Sequence, residues 1–316
     1  MANTRLLLDV EVAAGNEHTS QHAQPGLWRL IDELPRSKQP SLLRGDSGFG
    51  SESFMKGAED RNVPYLFKLR QYKGVKSVIR RAFRASSSRW CNAGQGWEGF
   101  EDRIQLSGWT TERRVLVIRR KLKENVVLDD PASKQLVLIA SDDPINRYEH
   151  AVLVTSLTDE PLTIAELYRH RADAENIFDE KKNQWGWGGY TTHDLARCKL
   201  MARIGALVFN WWSLFSGLAF PDKHHEAITS RPLLLHAVGV KTRHAGQQKI
   251  SVSSSHAKRD TVKKVLSAAS HFLYRLRNAA EQLTQKQKLI LILRRVFARF
   301  LNGGMLQGLK PIRQLV

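Results

Sequence analysis

Up to Arg70 the apolar positions switch repeatedly between a two-residue and a helical period. Leu6 to Val12 is a short apolar run that predicts a strand, and Gly15-Asn16 predicts a turn. Residues 27–34 (LWRLIDEL) predict an amphipathic helix that stops before Pro35. Ser41 to Leu43 predicts a second strand, which runs into the sharp turn Arg44-Gly45-Asp46-Ser47-Gly48-Phe49-Gly50. Ser51 to Asp60 has helical spacing, and Pro64 to Leu69 returns to strand. This alternation predicts a layered α/β core.

Beyond Arg70 the pattern changes. Gln71 to Ala85 predicts a basic helix, followed by a Ser-, Gly- and Trp-rich loop. Strand-like runs then follow at Phe100–Leu106, Arg114–Lys121, Gln135–Ser141 and His150–Leu157, separated by turns such as Ser107-Gly108 and Asp142-Asp143-Pro144. Successive strands with turn-rich separators predict an antiparallel β insertion. Helical spacing resumes at Leu162 and continues to Lys182, where Trp185-Gly186-Trp187-Gly188-Gly189 interrupts it. Thr191 or Thr192 is a candidate cap for the next helix, which runs to about Leu218. Its apolar stretch from Ile204 to Phe220 carries Asn210 and Ser213 and is short for a membrane span, so a buried helix is expected. The remainder reads as helical and basic, with one strand-like run at Lys249–Val252.

Composition adds a partner. The chain has 316 residues, enough for a large core, and a net charge of +18. From Pro221 to Val316 there are 18 Lys and Arg against 4 Asp and Glu, whereas the first 220 residues hold 31 against 27. Such an excess calls for a polyanion: phosphate backbone first, an anionic membrane surface as the competitor. Cys91 and Cys198 stand far apart with no C-x-x-C pair, which excludes a disulfide framework or a cysteine zinc site.

The most informative residues are Tyr168, Arg171, Glu175 and Lys182, spaced Y-x2-R-x3-E-x6-K. On one continuous helix they lie at roughly 0°, −60°, −20° and −40°, sharing one stripe. A carboxylate, two cations and a phenol on one stripe suit a divalent metal and a phosphate chain; the alternative is a solvated charged face. Asp179 faces about the same way, and spacing does not choose between it and Glu175. Asp46, in its glycine-bracketed turn, is the second carboxylate, and paired carboxylates can hold two divalent ions for phosphoryl transfer. A plain β-turn role is the competing reading for Asp46. The Gly45-Asp46-Ser47-Gly48 string also matches a serine-protease nucleophile loop, but the alternating helices and strands around it do not fit that all-β setting.

The four-residue pattern resembles the Y-R-E-K signature of DDE transposases of bacterial insertion sequences, matched at all four positions. The stretch LLRGDSGFGSESFMKGAEDRNVPYLFKLR is similar to the family's second-Asp region. YRHRADAENIFDEKKNQWGWGGYTTHDLARCKLMARIGALVFNWW is similar to its third-carboxylate helix and the helix after it, and GNEHTS to the turn after the third core strand. The resemblance implies an α/β, ribonuclease H-like core, incomplete at the N-terminus, with an antiparallel β insertion and a helical basic C-terminal region. By residue, these would be the first core part (1–70), the β-rich insertion (71–158), the C-terminal core helices (159–220) and the basic region (221–316). It further implies that Asp46 and Glu175 ligate Mg2+ (or Mn2+), that Tyr168, Arg171 and Lys182 grip phosphates of the transposon end, and that Trp109 holds a flipped base. DNA ends and target DNA would be the partners of a homodimer in the cytoplasm, associated with the nucleoid. No membrane or small-molecule substrate is implied.

The family pattern also has a first Asp on an opening strand, and Asp9 lies too near Asp46 to match it. The expectation is therefore a truncated copy that lacks one metal ligand and one central strand and is weak in catalysis. A non-catalytic DNA-binding remnant is the alternative reading, and a ribonuclease H-type nuclease, which has no use for the Tyr-Arg-Lys stripe, ranks below it.

Overall fold

A computed structural model describes residues 5–13, 19–122, 144–220, 223–236, 239–256, 258–278 and 283–298. The chain divides into two units, Ala13–Ala172 and Met1–Val12 with Asp173–Val316.

The first unit is built on a six-stranded sheet. Its elements are α1 (Thr19–Glu33), β1 (Leu43–Gly45), α2 (Glu52–Glu59), β2 (Tyr65–Lys68), α3 (Lys73–Arg84), β3 (Cys91–Gly94), β4 (Trp97–Ile104), β5 (Arg113–Lys121), β6 (Tyr148–Thr155) and α4 (Pro161–Arg169). The strand order is β1-β2-β6-β5-β4-β3; β1 and β2 run parallel, with Leu43 opposite Tyr65, and the other pairs are antiparallel. β2 pairs directly with β6, with Phe67 opposite Val154, so hydrogen bonding runs unbroken from the strands read as core to those read as insertion.

Both faces of this sheet are covered, and that explains its near-continuous apolar strands. One face sets Tyr65, Phe67, Val115, Val117, Val152 and Val154 against Phe54, Met55 and Ala58 of α2 and Val75, Val78, Ile79 and Ala82 of α3. The other sets Leu66, Leu116, Ile118 and Leu153 against Ile164 and Ala165 of α4. Each buried Val, Leu, Ile or Phe contributes about 1.5–3 kcal/mol. The expected strands at 100–106, 114–121 and 150–157 are found as β4, β5 and β6, within a few residues at each end. The run at 135–141 and the turn at 15–16 lie outside the described residues.

The second unit contains α5 (Ala172–Gln184), α6 (Leu195–Ala219), α7 (Ala227–Leu234), the hairpin β7 (Gly239–His244) and β8 (Gln247–Val252), α8 (Arg259–Asn278) and α9 (Gln285–Val296). Three expectations are corrected here. Leu6–Val12 forms no strand. Instead the Asn210 side chain of α6 accepts from Leu7 N (2.9 Å) and donates to Leu7 O (2.7 Å), and Val10 packs on Ala202 and Ala206. An amide side chain satisfies the backbone that a neighbouring strand would otherwise have paired. The cap of α6 is Asp194, whose Oδ1 accepts from Ala196 N and Arg197 N; Thr192 Oγ1 accepts instead from Asp194 N. Finally, α6 buries Cys198, Ala202, Ala206, Phe209, Ser213 and Ser216 along one side, and Leu218 and Ala219 at its end, while Leu200, Ile204, Leu207 and Trp211 are exposed.

Candidate active site

Asp46 follows the last residue of β1, where the chain turns. Its Oδ1 accepts from Gly48 N (2.9 Å) and its carbonyl from Phe49 N (3.1 Å), so the carboxylate braces its own turn while staying exposed. The turn is held down by close approaches that only glycine allows. A Cβ on Gly50 would stand 2.3 Å from the Lys68 carbonyl, and one on Gly45 would stand 2.6 Å from Phe49 Cβ. Phe49 in turn meets Phe54 edge-on at 5.0 Å.

The Tyr-Arg-Glu-Lys stripe is not carried on one helix. α4 ends at Arg169, and α5 starts at Ala172. Arg171 N donates to the carbonyl of Tyr168 (3.0 Å), three residues back, rather than to that of Leu167. The Leu167 carbonyl accepts from Arg44 Nη1, two residues before Asp46. A strand-borne guanidinium thus takes the acceptor that a continuous helix would have used. Tyr168 lies in the last turn of α4 and joins the apolar cluster on that face of the sheet, with the Arg171 guanidinium 5.3 Å from its ring centre. Glu175 and Lys182 are exposed on α5. The Asp46 turn, Trp109, Tyr168 and Arg171 therefore belong to the first unit, Glu175 and Lys182 to the second.

A cavity of about 450 Å³ opens beside the Asp46 turn. Ser47, Gly48, Gly50 and Ser51 form one wall; Arg70, Tyr72, Lys73 and Trp109 are among the others. Sequence reasoning named Trp109 but missed the Arg70-Tyr72-Lys73 cluster. Its position just beyond the end of β2, where ligands gather in α/β sheets, was the available signal. Trp109 is seated by Arg113, whose guanidinium lies 5.3 Å from its ring centre. Arg113 is buried and binds Glu59 through Nε (2.7 Å) and Nη2 (2.9 Å) and Glu52 through Nη1. Glu52 also accepts from Thr110 N and Oγ1. Hydrogen bonding from Arg113 holds the Glu59 carboxyl below the usual glutamate value. Burial opposes ionisation of Glu52, but bonds from Arg113 and Thr110 outweigh it, and its value is lowered too.

Two charged residues of α5 that the motif does not name are buried. Glu180 accepts from Ala227 N (3.0 Å) and lies 3.6 Å from His224 Nε2. Lys181 is fully buried with its Nζ 3.6 Å from the Trp187 ring centre; among the described residues no group bonds it, and burial pushes its ammonium down to about 8. Asp179, by contrast, is exposed and accepts from Asn183 Nδ2 (2.8 Å).

Exposed carboxylate oxygens at a strand end and on α5 are hard donors of the kind Mg2+ takes. Among the described residues no three His, Cys, Asp or Glu side chains cluster into a metal site, so the donors identified are of the right kind but few. Among the same residues no helix is long and apolar enough to cross a membrane. No curated protein matches the chain. The family model described as "Transposase DDE domain" matches residues 2–211, the stretch that carries the Asp46 turn, the cavity and all of α5. The chain belongs to the DDE-domain transposase family, whose general activity is DNA transposition.

Proposed function

We propose that this transposase cleaves DNA at the ends of an insertion sequence and joins the freed end to target DNA, using Mg2+ or Mn2+, on a ribonuclease H-like core. The observation that carries the proposal is the exposed Asp46 carboxylate, fixed at the end of β1 beside a cavity whose walls bear Arg70, Lys73 and Trp109. Bound between carboxylates, the divalent ions would activate the attacking oxygen and stabilise the leaving oxygen. Asp46 and Glu175 would hold them. Arg171 would bind a phosphate through two N–H groups, Lys182 would add a point charge, and the Tyr168 phenol would complete the grip. Trp109 would stack on a base swung out of the duplex, with Arg113 keeping its ring in place. The working form would be a homodimer associated with the nucleoid.

The test is cleavage of a duplex carrying the cognate end, with Mg2+ or Mn2+. Asp46→Asn and Glu175→Gln should each lower the rate at least about a hundredfold while duplex binding is kept, since several kcal/mol of barrier reduction come from such ions. Unchanged rates in both variants would refute the carboxylate assignment. Binding without cleavage by the parent chain with either ion would leave a DNA-binding protein rather than an enzyme.

A further inference from the structure

The β7–β8 hairpin has no interior. Every residue of Gly239–His244 is exposed, and so is every residue of Gln247–Val252 except the half-buried Val252. Ala245 (φ 46°) and Gly246 (φ 77°) close it with the two left-handed residues that a tight hairpin turn requires. An isolated two-stranded ribbon is marginal in stability, so one that shows both faces to water is built for a surface it will meet. Two observations say which surface. From Gly239 to Arg277 the chain has nine Lys and Arg and one acid, Asp260. The exposed apolar residues form no patch: Val240 pairs with Ser251 on one face, and Ile250 pairs with Lys241 on the other. A protein partner would want those side chains together.

We propose that the β7–β8 ribbon is an arm that lies in the major groove of duplex DNA, one face against base edges and the cations at its root against the backbone. The inference rests on the DNA reading above and adds where the duplex is held. The major groove admits a two-stranded ribbon. The cross-strand pairs Lys241–Ile250 and Arg243–Gln248 place on one face an Arg that can bond guanine, a Gln that can bond adenine and an apolar chain for a thymine methyl. In the chain just beyond β8, His256, Lys258, Arg259 and Asp260 line an open cavity of about 640 Å³ together with His225, among others. Burial pushes the His225 imidazole below its ordinary value, and the neighbouring Lys223, His224 and Lys258 push it further in the same direction.

The experiment uses the full chain and a short duplex of mixed sequence, with affinity measured by fluorescence anisotropy over a salt series. Arg243→Ala with Lys249→Ala should weaken binding roughly 10- to 100-fold near 0.1 M salt and flatten the logarithmic salt slope by about one, the share of Lys249 on the face turned away from the bases. The charge-keeping pair Arg243→Lys and Lys249→Arg should stay near the parent. All four changes fall on exposed positions away from any core, and an unchanged melting curve confirms the fold. A duplex whose major groove is filled by glucosylated hydroxymethylcytosine should bind the parent more weakly than the plain duplex. Parent-like affinity and slope in the alanine pair, or indifference to the filled groove, would overturn the arm while leaving the DNA reading intact. A parent chain that binds no duplex would overturn both. A change of oligomeric state in Val240→Ser with Ile250→Ser, with DNA binding unmoved, would assign the ribbon to a second copy and overturn the proposal.

Discussion

Arg113 and Lys181 are both buried cations, and their surroundings treat them in opposite ways. Arg113 is matched by two carboxylates and lies under the Trp109 ring, so replacing it leaves Glu52 and Glu59 without their partner. Arg113→Met should destabilise the first unit by about 3 kcal/mol, measured by urea unfolding. Because both glutamates titrate below their ordinary 4.5 when folded, their contribution is present above that value and is lost as pH falls through the lowered one. The parent should therefore lose stability in that acid window more steeply than Arg113→Met. Among the described residues the Lys181 ammonium has no hydrogen-bond partner, and the rings of Trp187 and Phe209 lie 3.6 and 5.9 Å from it. Its folded value of about 8 lies below the ordinary 10.5, so between these limits the unfolded chain binds more protons and stability rises with pH. Lys181→Met should stabilise the protein by about 1–3 kcal/mol at neutral pH and erase that alkaline rise; equal stability in parent and variant at pH 7 would contradict the buried, unpaired amine.

At the scale of elements, the Asp46 turn is positioned by a backbone contact. The Gly50 backbone lies against the Lys68 carbonyl so closely that a methyl group would force one of them to move. Gly50→Ala should destabilise by roughly 1–3 kcal/mol and lower cleavage further than the folded fraction explains, because it shifts the carboxylate rather than removing it. Cleavage that tracked the folded fraction alone would show that the turn tolerates the shift. The same elements show what a sequence reveals. The strands β2, β5 and β6 were legible because both their faces are buried, giving apolar runs bounded by turns, and β4 because Phe100 and Ile104 bury one face between exposed charged residues. The Asp46 turn was legible from its glycines. The break between α4 and α5 was not: every residue from 162 to 182 suits a helix, and the acceptor is taken by Arg44, more than a hundred residues earlier. β7 went unread for a different reason. A strand with no buried face carries no apolar period, so only the more β-prone Lys249–Val252 half of the hairpin stood out.

For the whole molecule, connectivity sets the expectation. Ala13–Ala172 is one continuous segment that holds the entire six-stranded sheet, and both apolar clusters on its faces are made wholly of its own residues. The other unit is assembled from the chain on either side, with Leu7 and Val10 bound to α6. A segment that supplies its own core pays its ordering entropy from its own burial, so residues 13–172 expressed alone should melt cooperatively. Arg113→Met should lower that transition as much as it lowers the matching transition of the full chain. Lys181→Met should act only on the remainder, which contains residue 181. The isolated segment has Asp46, Arg70 and Trp109 but not Glu175 or Lys182, so it should cleave no DNA with either ion even when fully folded. A non-cooperative melt would show that the sheet depends on the rest of the chain, and divalent-dependent cleavage by the segment would remove Glu175 from the mechanism.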